Sequence, residues 1–231
     1  MLYHCDAVQA VGKLPVNLRE LQVDYLSLTG HKLQGPKGIG ALYVRRKAPF
    51  TPLIHGGHQE RGLRGGTENV ALIVGLAKAA ELARKQLSRY DAHARPLRDA
   101  LELGILGHRL NSPAGTISPP GGEGPDEGAG IPGTELNGHP VLRLANTTNI
   151  TFHGVESEAL LLLLDQKGIC ASSGSACLAD SDEPSHVVKA MKPDTGASRQ
   201  MIRFSLGPAN TAAEIQTALQ AVRKAVHELR G

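Results

Sequence analysis

Between Ser112 and Pro140, 14 of 29 residues are glycine or proline. Proline has no backbone N–H to give to a helix or a ladder, and glycine loses the most conformational freedom on ordering. The stretch is therefore expected to hold neither regular structure nor core. It reads as a surface insertion, and the fold must be built from what lies on either side. Upstream, Met1 to Cys5 reads as a short apolar strand ending at Asp6, Asn17 to Gln22 as a connecting helix, Asp24 to Leu28 as a second strand and Gly40 to Val44 as a third. From Glu68 the apolar spacing changes to three and four: Val70, Ile73, Val74, Ala77 and Ala80 share one stripe. That spacing predicts a long helix running towards Leu87, with a second helix over Ala94 to Leu106. Downstream come a strand at Thr147 to Phe152, a helix at Glu156 to Lys167, a short strand at Gly168 to Ala171 and a short helix opened by Pro184. A strand at Gln200 to Leu206 leads to a last helix, Thr211 to Leu229, where Thr211 and Glu214 stand at capping-box spacing.

This order predicts an α/β protein. Strands joined by helical crossovers make a parallel or mixed sheet with helices over residues 1–88, and a small α+β unit follows at 89–231, carrying the insertion 112–140. Sheets of this kind take ligands beyond the carboxyl ends of their strands, and Asp6 and Lys32 both fall just past strand ends.

Composition removes several classes of function. The formal charge of +3 is spread without a basic run and the aromatic content is 3%, so no nucleic-acid partner is expected. No apolar run approaches the ~20 residues that span a bilayer, so no membrane association is expected either. The opening MLYHCDAVQAVGK has neither the basic nor the long apolar region of a secretion signal. Three cysteines, an odd number, do not make a disulfide framework and fit a reducing cytoplasm.

The chemistry concentrates in SLTGHKLQGPKGIGALYV, Ser27 to Val44. A lysine beside a histidine in a loop is an ordinary solvated pair unless its surroundings desolvate it. Here Thr29 and Gly30 precede His31 and Lys32, and Gly35, Gly38 and Gly40 follow, so that backbone can approach a ligand closely. A partly desolvated lysine favours the neutral amine that attacks a carbonyl. Asp6 is either the cap of the turn that follows it or a carboxylate for a ring nitrogen, and Gln9, three residues on, carries an amide within reach of the same ring.

Five blocks, HCDAVQAVGK, SLTGHKLQGPKGIGALYVRR, HGGHQERGLRGGTENV, SSGSACLADSDEPSHVVKAM and IRFSLG, stand in the order in which cysteine desulfurases carry very similar ones. The resemblance covers nearly all of the chain outside the insertion. It implies a fold-type-I pyridoxal-phosphate (PLP) enzyme of the aminotransferase class V group, normally a homodimer. Residues 1–88 would then be part of the cofactor-binding large domain with its connecting helix, and residues 89–231 the small C-terminal domain, with the cysteine loop at 172–184. Lys32 resembles the Schiff-base lysine, Asp6 and Gln9 the ring partners, and Thr29 and His31 the phosphate-binding residues before the lysine. Thr67 resembles the residue that reaches a cofactor phosphate across the dimer interface; a helix cap is its other reading. Arg203 resembles the arginine that holds the substrate carboxylate, a task for a planar bidentate donor, with a strand-edge salt bridge as the alternative.

Cys177 resembles the sulfur-accepting nucleophile. Small residues, Ser172 to Ala176, precede it and a polar run, Asp180 to Glu183, follows, similar to the longer-loop class that hands sulfur directly to acceptor proteins. Cys5 and Cys170 sit in apolar stretches and are expected to be buried, inert thiols. The implied reaction takes L-cysteine to L-alanine and leaves a persulfide on Cys177, destined for iron–sulfur scaffold proteins or tRNA-thiolation enzymes. The family's chains extend far upstream of the aspartate, with a phosphate-binding loop and an aromatic side chain that stacks on the ring, whereas only Met1 to Cys5 precede Asp6 here. Three readings follow: an enzyme completed by another polypeptide, a non-catalytic remnant or interaction module, and a related PLP enzyme such as selenocysteine lyase. SSGSAC with its polar run favours sulfur over selenium chemistry.

Overall fold

The structure is a computed structural model that describes residues 1–107, 130–174, 184–193 and 195–231. It divides into two compact units, Met1–Tyr90 and Asp91–Gly231.

The first unit is built on a three-stranded sheet of β1 (His4–Asp6), β2 (Tyr25–Thr29) and β3 (Gly40–Val44), in that order. β1 runs parallel to β2, with Cys5 opposite Leu26 and Asp6 opposite Ser27; β2 runs antiparallel to β3, from Tyr25 opposite Val44 to Thr29 opposite Gly40. The sheet is thus mixed. Between β1 and β2 the chain makes the short helix α1 (Leu18–Leu21), whose first turn is held by Asn17 accepting the Arg19 N–H and whose end is turned by Gln22 at φ 51°. Ala7, Val23 and Leu26 form the small core, with Val11, Val16 and Leu28 packed against it. Asp24, 3% exposed, ties the start of the sheet together. Its carboxylate accepts the Tyr3 N–H at 2.8 Å and the Arg45 guanidinium, and its backbone N–H donates to the Tyr3 carbonyl at 2.9 Å. The Tyr3 N–H, and then Arg45, hold the carboxyl below its ordinary range against the opposing effect of burial.

The two helices expected towards Leu87 and over Ala94 to Leu106 are one element, α2 (Val70–Leu106), with Pro96 inside it. A mid-helix proline removes one backbone hydrogen bond and strains the preceding turn. Strong helix formers lie on both sides, and an Asp91–Arg95 ion pair at 2.6 Å and four-residue spacing closes the turn just before it. Its start is set by Asn69, whose Oδ1 accepts the Leu72 N–H at 3.2 Å, so the cap is Asn69 and not Thr67.

In the second unit β4 (Thr134–Leu136), β5 (Thr147–Phe152) and β6 (Met201–Ser205) form an antiparallel sheet in that order, with α3 (Ser157–Asp165), α4 (His186–Met191) and α5 (Ala212–Arg230) around it. Ile150, Phe152, Leu160, Leu164, Ile202 and Val222 are fully buried in one core. Thr211 caps α5 and the Glu214 side chain returns to the Thr211 N–H, the reciprocal box expected from their spacing.

Two expectations for this unit are corrected. Strand β4 lies inside the segment 112–140 that was expected to hold no regular structure, and Ile131 and Asn137 beside it are buried. Gly133 at φ 66° and Gly138 at φ 89° bracket the strand, so these glycines punctuate it instead of abolishing it, while β5 supplies its ladder. The rest of the insertion, residues 112–129, lies outside the described residues. The strand expected at Gly168 to Ala171 is absent: Gly168 at φ 73° and the Ile169 N–H, bonded to the Leu164 carbonyl at 3.0 Å, close the end of α3, and the chain first meets the sheet at Ser172. Cys170 is accordingly exposed and Cys5 only half-buried, against the expectation of buried thiols. Among the described residues no helix is long and apolar enough to cross a membrane.

Candidate active site

The sequence-derived residues of the first unit gather at the carboxyl ends of two neighbouring parallel strands. Asp6 is the last residue of β1, and its Oδ1 accepts the Val8 N–H at 2.9 Å. Capping the turn and presenting a carboxylate at the strand end are therefore compatible. Beyond the end of β2 the chain enters a single 3₁₀ turn, His31–Leu33, that carries Lys32. This turn is held firmly: Leu33 and Gly35 both donate to the Gly30 carbonyl at 2.9 Å, Gly30 donates to the Ile39 carbonyl at 2.9 Å, and the Leu33 side chain is buried. A Cβ on Gly30 would lie 2.9 Å from Ile39 Cγ2 and from the Pro36 carbonyl oxygen. Helix α2 presses on the same loop, since a Cβ on Gly75 would lie 2.5 Å from the Pro36 ring. Lys32 is half-buried at the top of this mount.

Thr29, which ends β2, donates its hydroxyl to the Ile39 carbonyl at 3.2 Å and lies 3.0 Å from His31 Nδ1. With the hydroxyl proton so placed, Nδ1 is the donor to Thr29 Oγ1 and Nε2 of a neutral ring is left as an acceptor. Gln9 accepts from Lys13 Nζ at 2.8 Å. Sequence reasoning did not single out Lys13, whose amine is lowered below the ordinary lysine range by burial first and by the charge of Lys32 second. The four-residue interval from Gln9, across a turn containing Gly12, was the available signal. Thr67 is exposed, two residues before the Asn69 cap.

In the second unit Arg203 lies on β6 opposite Asn149 of β5, and its backbone bridges Ser172: the Arg203 N–H donates to the Ser172 carbonyl at 2.6 Å and the Ser172 N–H returns to the Arg203 carbonyl at 3.2 Å. Its Nε is buried with no hydrogen-bond partner among the described residues. A buried, unmatched guanidinium donor is costly, and an anion would satisfy it. Asn149 accepts from Asn137 at 2.7 Å and donates to the Met201 sulfur at 3.7 Å. Cys177 lies outside the described residues. Thus Asp6, Gln9, Thr29, His31 and Lys32 belong to one strand-end cluster of the first unit, and Arg203 to the second.

This is the arrangement of a fold-type-I large domain with a small α+β domain, and residues 1–111 and 129–218 match the aminotransferase class-V family. The chain belongs to that family. It is 49% identical over 229 residues to "Cysteine desulfurase 2" of Trichormus variabilis, covering 99% of this chain and 52% of that protein. It is 45% identical to "Cysteine desulfurase NifS" of Azotobacter vinelandii, over 100% of this chain and 52% of that protein. Among solved structures, a NifS-like protein superposes with a TM-score of 0.79 at 35% identity, covering 99% of this chain and 53% of the other. One from Rickettsia africae gives 0.79 at 29%, covering 98% and 54%. The chain spans about half the length of the curated relatives it matches.

Members of this family use PLP, and the donor set of the first unit fits that group. A carboxylate, an amide, an amine and a hydroxyl–imidazole pair stand at adjacent strand ends, and a backbone held at Gly30 leaves no room there for a side chain. Asp6 would hold the ring nitrogen, Gln9 the phenolic oxygen, Lys32 the carbonyl carbon, and Thr29 with His31 the phosphate side.

Proposed function

We propose that this chain carries the reactive lysine, the sulfur-accepting thiol and the carboxylate-binding arginine of a PLP-dependent cysteine desulfurase. The observation that carries the reading is the strand-end cluster, with Lys32 on a clamped turn beyond β2 and Asp6 at the end of the parallel β1. The unmatched Nε of Arg203 supports it from the substrate side.

PLP, when bound, supplies the electron sink that accepts the pair released at the substrate α-carbon. Arg203 binds the carboxylate of L-cysteine and so fixes which substituents face the cofactor. Lys32 would hold the cofactor carbonyl and, as a free amine, would accept the substrate α-proton at Nζ. Asp6 keeps a proton on the ring nitrogen. The Cys177 thiolate attacks the substrate sulfur; the bond from that sulfur to the β-carbon breaks and the sulfur–sulfur bond forms. The β-carbon is reduced to the methyl of L-alanine while the transferred sulfur is held as a Cys177 persulfide. Acceptor proteins of iron–sulfur cluster assembly or tRNA thiolation then take the sulfur in the cytoplasm. In a homodimer Thr67 would hold the phosphate of the partner subunit's cofactor. The test is spectroscopic and chemical: protein incubated with PLP acquires a visible absorption band that Lys32→Ala removes, and alanine release from L-cysteine is lost in Cys177→Ala while the band stays. A protein that takes up no PLP refutes the proposal.

A further inference from the structure

The turn after β1 carries a second amine, Lys13, and the residue it binds is one proposed above as a cofactor ligand. Lys13 Nζ donates to Gln9 Oε1 at 2.8 Å. The chain between them is helical in its bonding, the Val11 N–H to the Ala7 carbonyl at 3.0 Å and the Leu14 N–H to the Ala10 carbonyl at 2.9 Å. Gly12, at φ 78°, closes on the lysine loop so tightly that a Cβ there would lie 2.5 Å from Leu33 Cδ2. Lys13, next to Gly12, is half-buried.

An ammonium has three donors and no acceptor, whereas a glutamine amide has one face of each kind. Only the oxygen of Gln9 can meet Lys13, which leaves the Nε2 donors pointing away from it. Without such a partner the amide of the ligand-free protein samples both orientations, and the part that presents its oxygen must turn over before it can donate to an anion. We propose that Lys13 is a positioning residue that locks the Gln9 amide with its NH2 group as the donor to an anionic oxygen on the cofactor ring. This rests on the reading of the strand-end cluster as a PLP site.

The experiment follows the Gln9 side-chain amide by NMR in the full chain labelled with ¹⁵N-glutamine, first without cofactor, the signal being assigned by its loss in Gln9→Ala. Lys13→Met moves that signal, and Lys13→Arg, another cation with donors only, keeps it near the wild-type position. With PLP added, Lys13→Met raises the pH midpoint of the visible band by about half a unit or more, the size expected when a charge-assisted hydrogen bond is partly lost. The same substitution in a Gln9→Ala background adds no further shift. A Gln9 signal indifferent to Lys13→Met overturns the proposal, and so does an equal shift of the band in both backgrounds, which would make Lys13 a plain charge. If the amide responds to Lys13 but wild-type protein gains no band, the cofactor assignment itself is overturned, and with it the positioning role.

Discussion

Gly30→Ala separates the mount of Lys32 from its chemistry. Gly30 has φ −68° and ψ −43°, an ordinary right-handed conformation, so alanine brings no backbone strain. By narrowing the unfolded ensemble it would stabilise by ~0.4–1 kcal/mol if space allowed. Space does not allow: the new Cβ would lie 2.9 Å from both Ile39 Cγ2 and the Pro36 carbonyl oxygen, and Gly30 is already fixed at its N–H by the Ile39 carbonyl. Relief requires backbone movement, at ~1–3 kcal/mol for overpacking of this kind. The two effects leave a net loss of up to about 2.6 kcal/mol, centred on ~1.3 kcal/mol, which at the centre is a fall in Tm of roughly 3–5 °C for a chain of this length. Function is expected to fall further than stability, because the loop that yields is the one that carries Lys32, and a displacement of ~1 Å costs about 100-fold in rate. Urea unfolding measures the first, and the rate at which added PLP develops its visible band measures the second. Gly207→Ala, whose Cβ would meet only Asn210 Oδ1 at 3.9 Å, is the control and is expected to gain the ~0.4–1 kcal/mol while the rate of PLP capture stays at the wild-type value. Wild-type stability with a wild-type rate of PLP capture in Gly30→Ala would refute the account of a clamped turn.

Three other outcomes are expected. Asp24, depressed first by the Tyr3 N–H and then by Arg45, contributes stability that is complete above the unfolded carboxyl value of ~3.9 and is lost as pH falls through its lower folded value. Urea midpoints between pH 3 and 7 should decline at the acid end in the wild type and decline less in Asp24→Asn, which should be less stable at pH 7. Arg203→Lys, which exchanges a planar fork for a point charge beside Asn149, should raise KM for L-cysteine by about tenfold or more with PLP binding unchanged; an unaltered KM would remove Arg203 from the substrate site. The Asn137 N–H, bonded to the Asn149 carbonyl at 2.8 Å, should exchange with solvent deuterium far more slowly than an open-loop amide, and rapid exchange there would dissolve β4.

Elements whose cause is local were legible in the sequence. Strand β3 runs over Gly40–Val44 and β5 over Thr147–Phe152, the spans that their apolar runs and flanking turns indicate, and the Thr211–Glu214 box starts α5 where its spacing says. The misreadings share a different origin. β4 is three residues long in a glycine-rich setting and exists because β5 offers it a ladder, a partner that no local pattern announces. The break expected between Leu87 and Ala94 is absent, and the helix also continues through Pro96, because one missing hydrogen bond is small beside the turns on either side. The site divides in the same way. Lys32, Asp6 and Arg203 stand out by residue type and by the motifs their blocks resemble, since chemistry restricts what can occupy such positions. Lys13 escaped because a lysine four residues from a glutamine is commonplace, and its meaning arises only after Gly12 folds the turn onto Leu33. Residues that touch a ligand carry their signature in their own chemistry, whereas residues that orient them carry it in the path of the chain, and that path must be seen before they can be named.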